Sequence, residues 1–131
     1  MEAETGKSVA LVDGPSVTAI RTGAASGLAT KYLSATDSKK AVVFGNGVQA
    51  KTQIEAIQSV RDLDEIRVIG RDLDKVESFC EQFDSSVFSG TLDDLLEADI
   101  ICTATSSASP LFEYGEPVSY THLTLPTTPY V

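Results

Sequence analysis

The stretch AVVFGNGVQA, residues 41–50, decides the fold predicted for this chain. It begins with a short apolar run, typical of a strand buried on both faces, and continues directly into a glycine-rich string of the form G-x-G-x-x-A. Beyond the string, apolar residues recur at helical spacing, at Val48, Ile54, Ile57 and Val60. A second apolar run at 66–69 closes a strand–helix–strand unit of about 30 residues, the length of one mononucleotide-binding half.

The glycine string predicts a site for a diphosphate. Gly45 permits a tight turn, Gly47 lets the backbone approach a ligand, and Ala50 allows the helix to pack closely on the strand. The first turn of the helix offers free N–H groups and a partial positive charge to phosphate oxygens. The alternative is a glycine turn in an α/β domain that binds no ligand, and the strand–helix–strand context favours dinucleotide binding over it.

The rest of the chain continues the alternation of helix and strand. Helical spacing runs over 73–83, a weak strand is predicted at 86–88, and a short helix at 91–97 precedes a buried strand at 99–104. This order is that of a Rossmann-type, doubly wound parallel sheet. We therefore predict an α/β dinucleotide-binding domain over residues 41–116.

The segment before this domain is interpreted as a β-hairpin followed by a helix. Residues 8–12 and 16–20 are rich in β-branched side chains, and the Asp13-Gly14 pair between them is turn chemistry. Thr22 is then placed to cap a helix over 23–33. A polar stretch after this helix connects it to the predicted Rossmann domain.

The composition indicates one globular domain. The chain has 131 residues, of which 42% are hydrophobic and 22% charged, as expected for a single hydrophobic core. Its net charge of -9 at pH 7 would repel a nucleic-acid backbone. No apolar run approaches the roughly 20 residues of a membrane span, so we expect a cytoplasmic protein. Cys80 and Cys102 are far apart and His122 is the only histidine, so a metal site is not expected.

The end of the second predicted strand favours NADP(H) over NAD(H). NAD-dependent enzymes usually carry an acidic residue there to bind the ribose 2′-hydroxyl, whereas this chain has Gly70 followed by Arg71. A guanidinium at this place accommodates a 2′-phosphate. The alternative is that Arg71 only pairs on the surface with a carboxylate such as Asp72.

Four more polar residues are candidates for ligand binding. Arg21 could hold a substrate carboxylate through two parallel hydrogen bonds, and Thr22, at a helix start, could assist phosphate binding. From the residues alone, an exposed arginine and an ordinary N-cap are favoured instead. Thr103 and Thr105 lie at the carboxyl end of the last predicted strand, where α/β sheets bind ligands, and a plain polar loop is the equal alternative.

Three sequence blocks, in this order, resemble the central part of the ornithine cyclodeaminase and mu-crystallin family. They are VTAIRTGAASGLATKYL at 17–33, AVVFGNGVQA at 41–50 and ADIICTATSSASPLF at 98–112. The resemblance implies that Arg21 binds the substrate carboxylate, which reverses the interpretation from the residues alone. It also implies that Thr22 lies near the cofactor phosphates and Arg71 at the adenosine ribose. The implied diphosphate-binding loop consists of Gly45, Asn46, Gly47, Val48 and Gln49.

The family resemblance implies hydride transfer between a nicotinamide cofactor and the α-carbon of a small amino or imino acid. Members of the family convert ornithine to proline, reduce cyclic imines or act as alanine dehydrogenases. A preference for NADP(H) would fit the reductive members. Two alternatives stay open: an NADPH-binding protein without turnover, as in mu-crystallin, and another amino-acid-type Rossmann dehydrogenase, which would leave Arg21 and Thr22 unexplained.

The resemblance also indicates an incomplete copy of a homodimeric parent. Family members begin with a longer substrate and dimerisation domain that supplies a lysine, and they continue into a segment with an acid–base aspartate. We expect neither residue here, so no catalytic residue is assigned and the fragment alone is expected to be inactive. The predicted division is 1–20 as a hairpin left from the substrate domain, 21–40 as connecting helix and linker, 41–116 as an incomplete Rossmann domain, and 117–131 as a non-native, disordered tail.

Overall fold

The computed structural model describes residues 1–111 and the backbone of residues 122–124. Within these residues there are three α-helices, one 3-10 helix and five strands. The helices are α1 (Gly14–Leu33), α2 (Val48–Gln58), α3 (Leu73–Cys80) and the 3-10 helix Leu92–Glu97. The strands are β1 (Lys40–Phe44), β2 (Glu65–Ile69), β3 (Val87–Ser89), β4 (Ile100–Thr103) and β5 (His122–Thr124).

The five strands form one sheet in the order β3-β2-β1-β4-β5, and every neighbouring pair is parallel. In the central strand β1, Val43 lies opposite Val68 of β2 on one side and Cys102 of β4 on the other. The strand order reverses between β1 and β4, and ligands of open α/β sheets bind at the carboxyl end of such a reversal. The predicted Rossmann-type parallel sheet is confirmed.

Two clusters of buried side chains cover the two faces of the sheet. On one face, alternate strand residues pack against Ile54 and Ile57 of α2 and Val76 and Phe79 of α3. On the other face, the intervening strand residues pack with Leu95 of the 3-10 helix. This alternation is the one that the period of a β-strand imposes. Every buried strand predicted from an apolar run is present, with no end moved by more than one residue.

The predicted hairpin before the Rossmann domain is wrong. Residues 14–20 belong to α1, and the Asp13-Gly14 pair begins a helix instead of turning a hairpin. The Asp13 carboxylate accepts a hydrogen bond from the Ser16 backbone N–H at 2.9 Å, and Pro15 occupies the first turn, where it costs no hydrogen bond. The proposed boundary at 20/21 therefore falls inside one continuous helix.

Helix α1 packs along α2 through a face of small residues. The buried positions of α1 recur at helical spacing: Ala19, Thr22, Gly23, Ser26, Gly27 and Thr30. Two further predictions are corrected here. Thr22 is buried in the middle of the helix and is not its N-cap, because Asp13 has that role. Val48 is 70% exposed and does not belong to the inward face of α2.

The prediction that residues 117–131 are disordered is wrong for residues 122–124, which form strand β5. Residues 122–124 pair in parallel with β4, with His122 opposite Ile100, so the backbone there is ordered by hydrogen bonds to a neighbouring strand. The rest of the predicted disordered tail, 117–121 and 125–131, lies outside the described residues. Within the described part of the chain, no helix combines the length and the apolar character needed to cross a bilayer.

Candidate functional site

The glycine loop after β1 lies at the reversal of strand order. Gly45 adopts φ +108°, a left-handed conformation that favours glycine. Its N–H donates a hydrogen bond to the Ile69 carbonyl at the end of β2, at 2.8 Å. A Cβ at Gly45 would stand 2.5 Å from the carbonyl oxygen of Ala104, just after β4. The loop is thus held between the ends of two strands, and Gly45 is required there for both conformation and space.

The N-terminus of α2 is uncapped and open. Gly47 is its N-cap residue, so there is no side-chain cap, and no described side chain accepts a hydrogen bond from the first turn. A Cβ at Gly47 would meet no atom of residues 1–111 within 4 Å, so none of these residues fills the space in front of the helix on this side. The first turn carries no acidic residue. Free N–H groups and the positive end of the helix dipole therefore face a space that suits an anionic diphosphate.

Polar side-chain atoms on both α1 and α2 are buried without a hydrogen-bond partner in the described part of the chain. The Oε1 atom of Gln49, in the first turn of α2, is buried without a hydrogen-bond partner among the described residues. The Oγ1 atom of Thr22, on α1, is also buried without a hydrogen-bond partner among the described residues, and Thr22 as a whole is only 4% exposed. Its neighbour Gly23 packs directly against Thr52 of α2. Buried polar groups usually have partners. The Thr30 Oγ1 and Gln53 Oε1 atoms also have none within the residues described, so what singles out Gln49 is its place in the first turn of α2, beside the glycine loop.

The end of β2 has a free guanidinium. The Asp72 carboxylate pairs with Lys75 instead of Arg71. It caps α3 by accepting a hydrogen bond from the Lys75 N–H at 3.3 Å, and it forms an ion pair with the Lys75 ammonium at 2.8 Å. These hydrogen bonds from Lys75 hold the pKa of Asp72 below its ordinary value. Arg71 is exposed and has no hydrogen bond or ion pair with the described residues. The alternative in which Arg71 pairs with Asp72 is therefore not what the structure shows.

The two threonines after β4 lie beside the glycine loop but differ in environment. Thr103 is buried as the last residue of β4. Thr105 follows it in the loop, where its Cγ2 atom would be 3.4 Å from a Cβ on Gly45. The Thr105 hydroxyl accepts a hydrogen bond from the Ser107 N–H at 3.2 Å, as in an ordinary polar turn. Thr105 therefore combines local turn chemistry with a position next to the predicted diphosphate.

Comparison with known proteins identifies the family. The sequence pattern of the ornithine cyclodeaminase/mu-crystallin family matches residues 1–124. The chain belongs to this family. It is 36% identical over 115 residues to the Delta(1)-pyrroline-2-carboxylate reductase of Bacillus cereus strain ZK / E33L, a match that covers 83% of this chain and 35% of the reductase.

Two solved structures share the fold of this family member. The Thermococcus litoralis Delta(1)-pyrroline-2-carboxylate reductase, in complex with NADH and L-proline, matches with a TM-score of 0.84 and 34% identity over 94% of this chain and 40% of that one. An archaeal alanine dehydrogenase dimer with bound NAD matches with a TM-score of 0.83 and 30% identity over 92% and 39%. The chain thus spans 35% to 40% of the length of these relatives.

Arg21 of this ornithine cyclodeaminase/mu-crystallin family member lies in the middle of α1, not at the predicted junction of hairpin and helix. It is exposed, whereas the adjacent Thr22 is buried, so the two side chains leave the helix in different directions. Successive residues of a helix point about 100° apart, which allows one to face solvent and the other α2. The structure therefore separates the predicted substrate-binding arginine from the predicted phosphate-binding threonine.

Sequence reasoning missed two residues that shape the site. Ala104 presents the carbonyl oxygen that excludes any side chain at Gly45. Val76 of α3 stands beside Gly70, where a Cβ would be 2.6 Å from its Cγ2 atom. Neither residue has a distinctive chemistry, and both act through a close approach between elements that are distant in sequence. No signal in the sequence could have identified them.

Proposed function

We propose that this chain binds NADP(H) as part of an enzyme that transfers hydride between the nicotinamide and the α-carbon of a small amino or imino acid. The observation that carries the proposal is the open, uncapped N-terminus of α2 behind Gly47. Family relatives support it, since one is a Delta(1)-pyrroline-2-carboxylate reductase and structural neighbours bind NADH with L-proline, or NAD.

The residues of the glycine loop would hold the cofactor diphosphate. N–H groups of Val48 and Gln49 would donate to its oxygens, and Asn46 lines the same loop. The buried hydroxyl of Thr22 and the amide of Gln49 would regain hydrogen-bond partners. The bound cofactor would supply the hydride, and the protein would position it and exclude competing water. Thr103 and Thr105 would line the cofactor from the side of β4.

Arg71 would select the phosphorylated cofactor. Its guanidinium is exposed at the end of β2 and has no partner in the described part of the chain. A 2′-phosphate would give it a bidentate, charge-assisted partner, whereas a 2′-hydroxyl would not. Cells keep NADP largely reduced, so this preference favours the reductive direction, such as reduction of a cyclic imine. Arg21 would hold the carboxylate of that substrate.

The proposal extends to the cellular location, the substrate and the oligomeric state of the protein. We expect it in the cytoplasm, with a small amino or imino acid as substrate and with neither nucleic acid nor membrane as partner. We expect the complete enzyme to be a homodimer, and the archaeal alanine dehydrogenase dimer supports this.

Titration of the 131-residue chain with NADPH and NADH, followed by nicotinamide fluorescence, tests the proposal. A methyl group at Gly47 would intrude where the diphosphate approaches, so Gly47→Ala should weaken binding of both cofactors about tenfold or more. Gly14→Ala is the matched control, because a Cβ there also meets no atom of the described residues within 4 Å but lies at the start of α1. Absence of binding by the folded chain, or equal affinities for the two variants, would contradict the proposal.

A further inference from the structure

Gly70 is the first residue after β2, and its backbone conformation does not require glycine. Within the described residues, only Gly6 and Gly45 have positive φ, so Gly70 adopts a conformation open to other residues. A Cβ at Gly70 would nevertheless stand 2.6 Å from the Cγ2 atom of Val76. The restriction at this position is therefore a matter of space, and Val76 imposes it.

Val76 cannot easily give way. It is 1% exposed and belongs to the core cluster that joins α3 to the sheet, together with Ile66 and Val68 of β2. A valine within a helix has one strongly preferred χ1 rotamer, so its methyl groups do not swing aside. Its N–H is bonded to the Asp72 carbonyl at 3.1 Å, in the first turn of α3. A side chain at position 70 would have to displace the helix or the strand end.

The excluded side chain is the one that would read the ribose of NAD. In Rossmann domains a carboxylate at the end of the second strand accepts hydrogen bonds from the ribose 2′-hydroxyl. Here the Asn46 carboxamide also approaches that spot, with its Oδ1 atom 3.5 Å from a Cβ on Gly70. The next residue, Arg71, is exposed at the same end of β2.

We infer that Val76 is a positioning residue for cofactor choice: it holds position 70 to glycine, so that Arg71 and not a carboxylate meets the adenosine ribose. The inference rests on the proposed function, since it takes the glycine loop to bind a dinucleotide. It adds that the packing of α3 on β2 determines the preference for NADP(H), although Val76 itself would not touch the cofactor.

Three variants of the 131-residue chain test the inference by titration with NADPH and NADH: Gly70→Asp, Val76→Ala and the double variant. Val76→Ala should keep the preference of the wild type for NADPH. Gly70→Asp alone should bind both cofactors about tenfold more weakly or worse, because the strand end is displaced. The double variant should recover NADH binding and shift the ratio of affinities toward NADH about tenfold or more relative to the wild type. Gly70→Asp binding NADH as tightly as the double variant would overturn the inference.

A melting experiment keeps the inference testable if Gly70→Asp does not fold. Gly70→Ala should lower the melting temperature clearly in the wild-type background and much less in the Val76→Ala background, where the methyl group has room. Equal drops in the two backgrounds would overturn the role of Val76. A wild-type chain that binds neither cofactor would overturn the proposed function as well, whereas a wild type that prefers NADPH together with equal melting drops would overturn the inference alone.

Discussion

A methyl group added at Gly23 of α1 would stand 2.6 Å from the carbonyl oxygen of Thr52 in α2. One turn later, a methyl group at Gly27 would be 3.1 Å from the Cβ atom of Ala56. The two helices therefore run side by side at a distance that only glycine permits at Gly23 and that leaves little room for a methyl group at Gly27. Because Thr22 precedes Gly23 directly, this contact also fixes where its buried hydroxyl lies relative to the N-terminal half of α2.

Replacing Gly23 with alanine should destabilise the protein despite the higher helix propensity of alanine. The new methyl group would meet backbone, which cannot rotate away, and overpacking of this kind costs about 1–3 kcal/mol. Gly14→Ala is the control in the same helix, because a Cβ there meets nothing within 4 Å in the part of the chain that the structure describes. That control should be neutral or stabilising by up to about 1 kcal/mol. Urea unfolding measures both, and a Gly23→Ala variant as stable as Gly14→Ala would show that the helices are not so close.

Gly45→Ala should destabilise the protein through two effects, an unfavourable backbone conformation and a steric clash. Its φ of +108° is unfavourable for alanine, and the new methyl group would also be 2.5 Å from the Ala104 carbonyl oxygen. A residue held in such a region costs about 1–3 kcal/mol before the clash is counted.

Gly6→Ala separates the two effects at Gly45. Gly6 also has positive φ, +71°, but a Cβ there meets no described atom within 4 Å. It lies in an exposed N-terminal turn that can open locally and relieve the strain, so we expect a loss of about 1 kcal/mol or less. Unfolding free energies of the two variants that agree within error would rule out the close approach between the glycine loop and the end of β4.

The parts of the fold that could be predicted from the sequence are those encoded by local pattern. Strands buried on both faces are short apolar runs, and the apolar spacing of α2 and α3 is helical, so the alternation from β1 to β4 follows from the residues alone. The hairpin prediction failed because the pattern was ambiguous. Asp13-Gly14 suits a turn as well as an N-cap, and the β-branched Val17 and Ile20 favour strands. Packing of α1 on α2 decides in favour of the helix.

Part of the candidate site could likewise be predicted from the sequence, and part depends on tertiary packing. The turn at Gly45 and Gly47 could be predicted because a glycine string that joins a buried strand to a helix is characteristic of a dinucleotide-binding turn. The freedom of Arg71 could not be predicted, since it depends on Asp72 turning back to cap α3 and pair with Lys75. The close approach of Val76 to Gly70 is likewise a result of tertiary packing.

Removing Arg71 should change cofactor preference and little else. Arg71→Ala should weaken NADPH binding about tenfold or more, because a charge-assisted contact contributes about 1.5–3 kcal/mol, and should change NADH binding about twofold or less. Lys31→Ala is the control, since it removes the same charge from an exposed position near the end of α1. Fluorescence titration at fixed ionic strength measures both ratios. Equal losses of NADPH and NADH affinity in Arg71→Ala would place the ribose elsewhere.

The cap of α1 should make stability depend on pH through Asp13. Hydrogen bonds donated by the side chain and backbone of Ser16 hold the pKa of Asp13 below its ordinary value. A lowered pKa in the folded state means that the contribution is present above the unfolded value, about 3.9, and is lost as pH falls through the folded pKa. The melting temperatures of wild type and Asp13→Ala should therefore differ at neutral pH and converge in acid.

Asp13→Asn is the control for that titration. Asparagine also caps helices well but carries no titrating carboxyl group, so its difference from Asp13→Ala should persist in acid. A gap between wild type and Asp13→Ala that stays constant from neutral pH to about pH 2.5 would show that the charged form is not what caps α1.

Arg61 fastens the C-terminal end of α1 to the end of α2. Its Nη2 atom donates to the carbonyl oxygens of Thr30, Lys31 and Ser34 at 3.0–3.1 Å, and its Nε atom donates to the Ala35 carbonyl at 3.0 Å. The last carbonyls of a helix have no partners within it and form the negative end of its dipole, so a guanidinium there satisfies both needs.

Arg61→Lys should lower the free energy of unfolding by about 1–2 kcal/mol, because an ammonium keeps the charge but cannot reach several carbonyls in one plane. Arg71→Lys is the matched control: it makes the same substitution at an exposed arginine with no partner among the described residues, and should change stability by less than about 0.5 kcal/mol. Urea unfolding compares the two directly. If Arg61→Lys were as stable as Arg71→Lys, charge alone would hold the end of α1, and the planar hydrogen-bonding pattern would contribute nothing measurable.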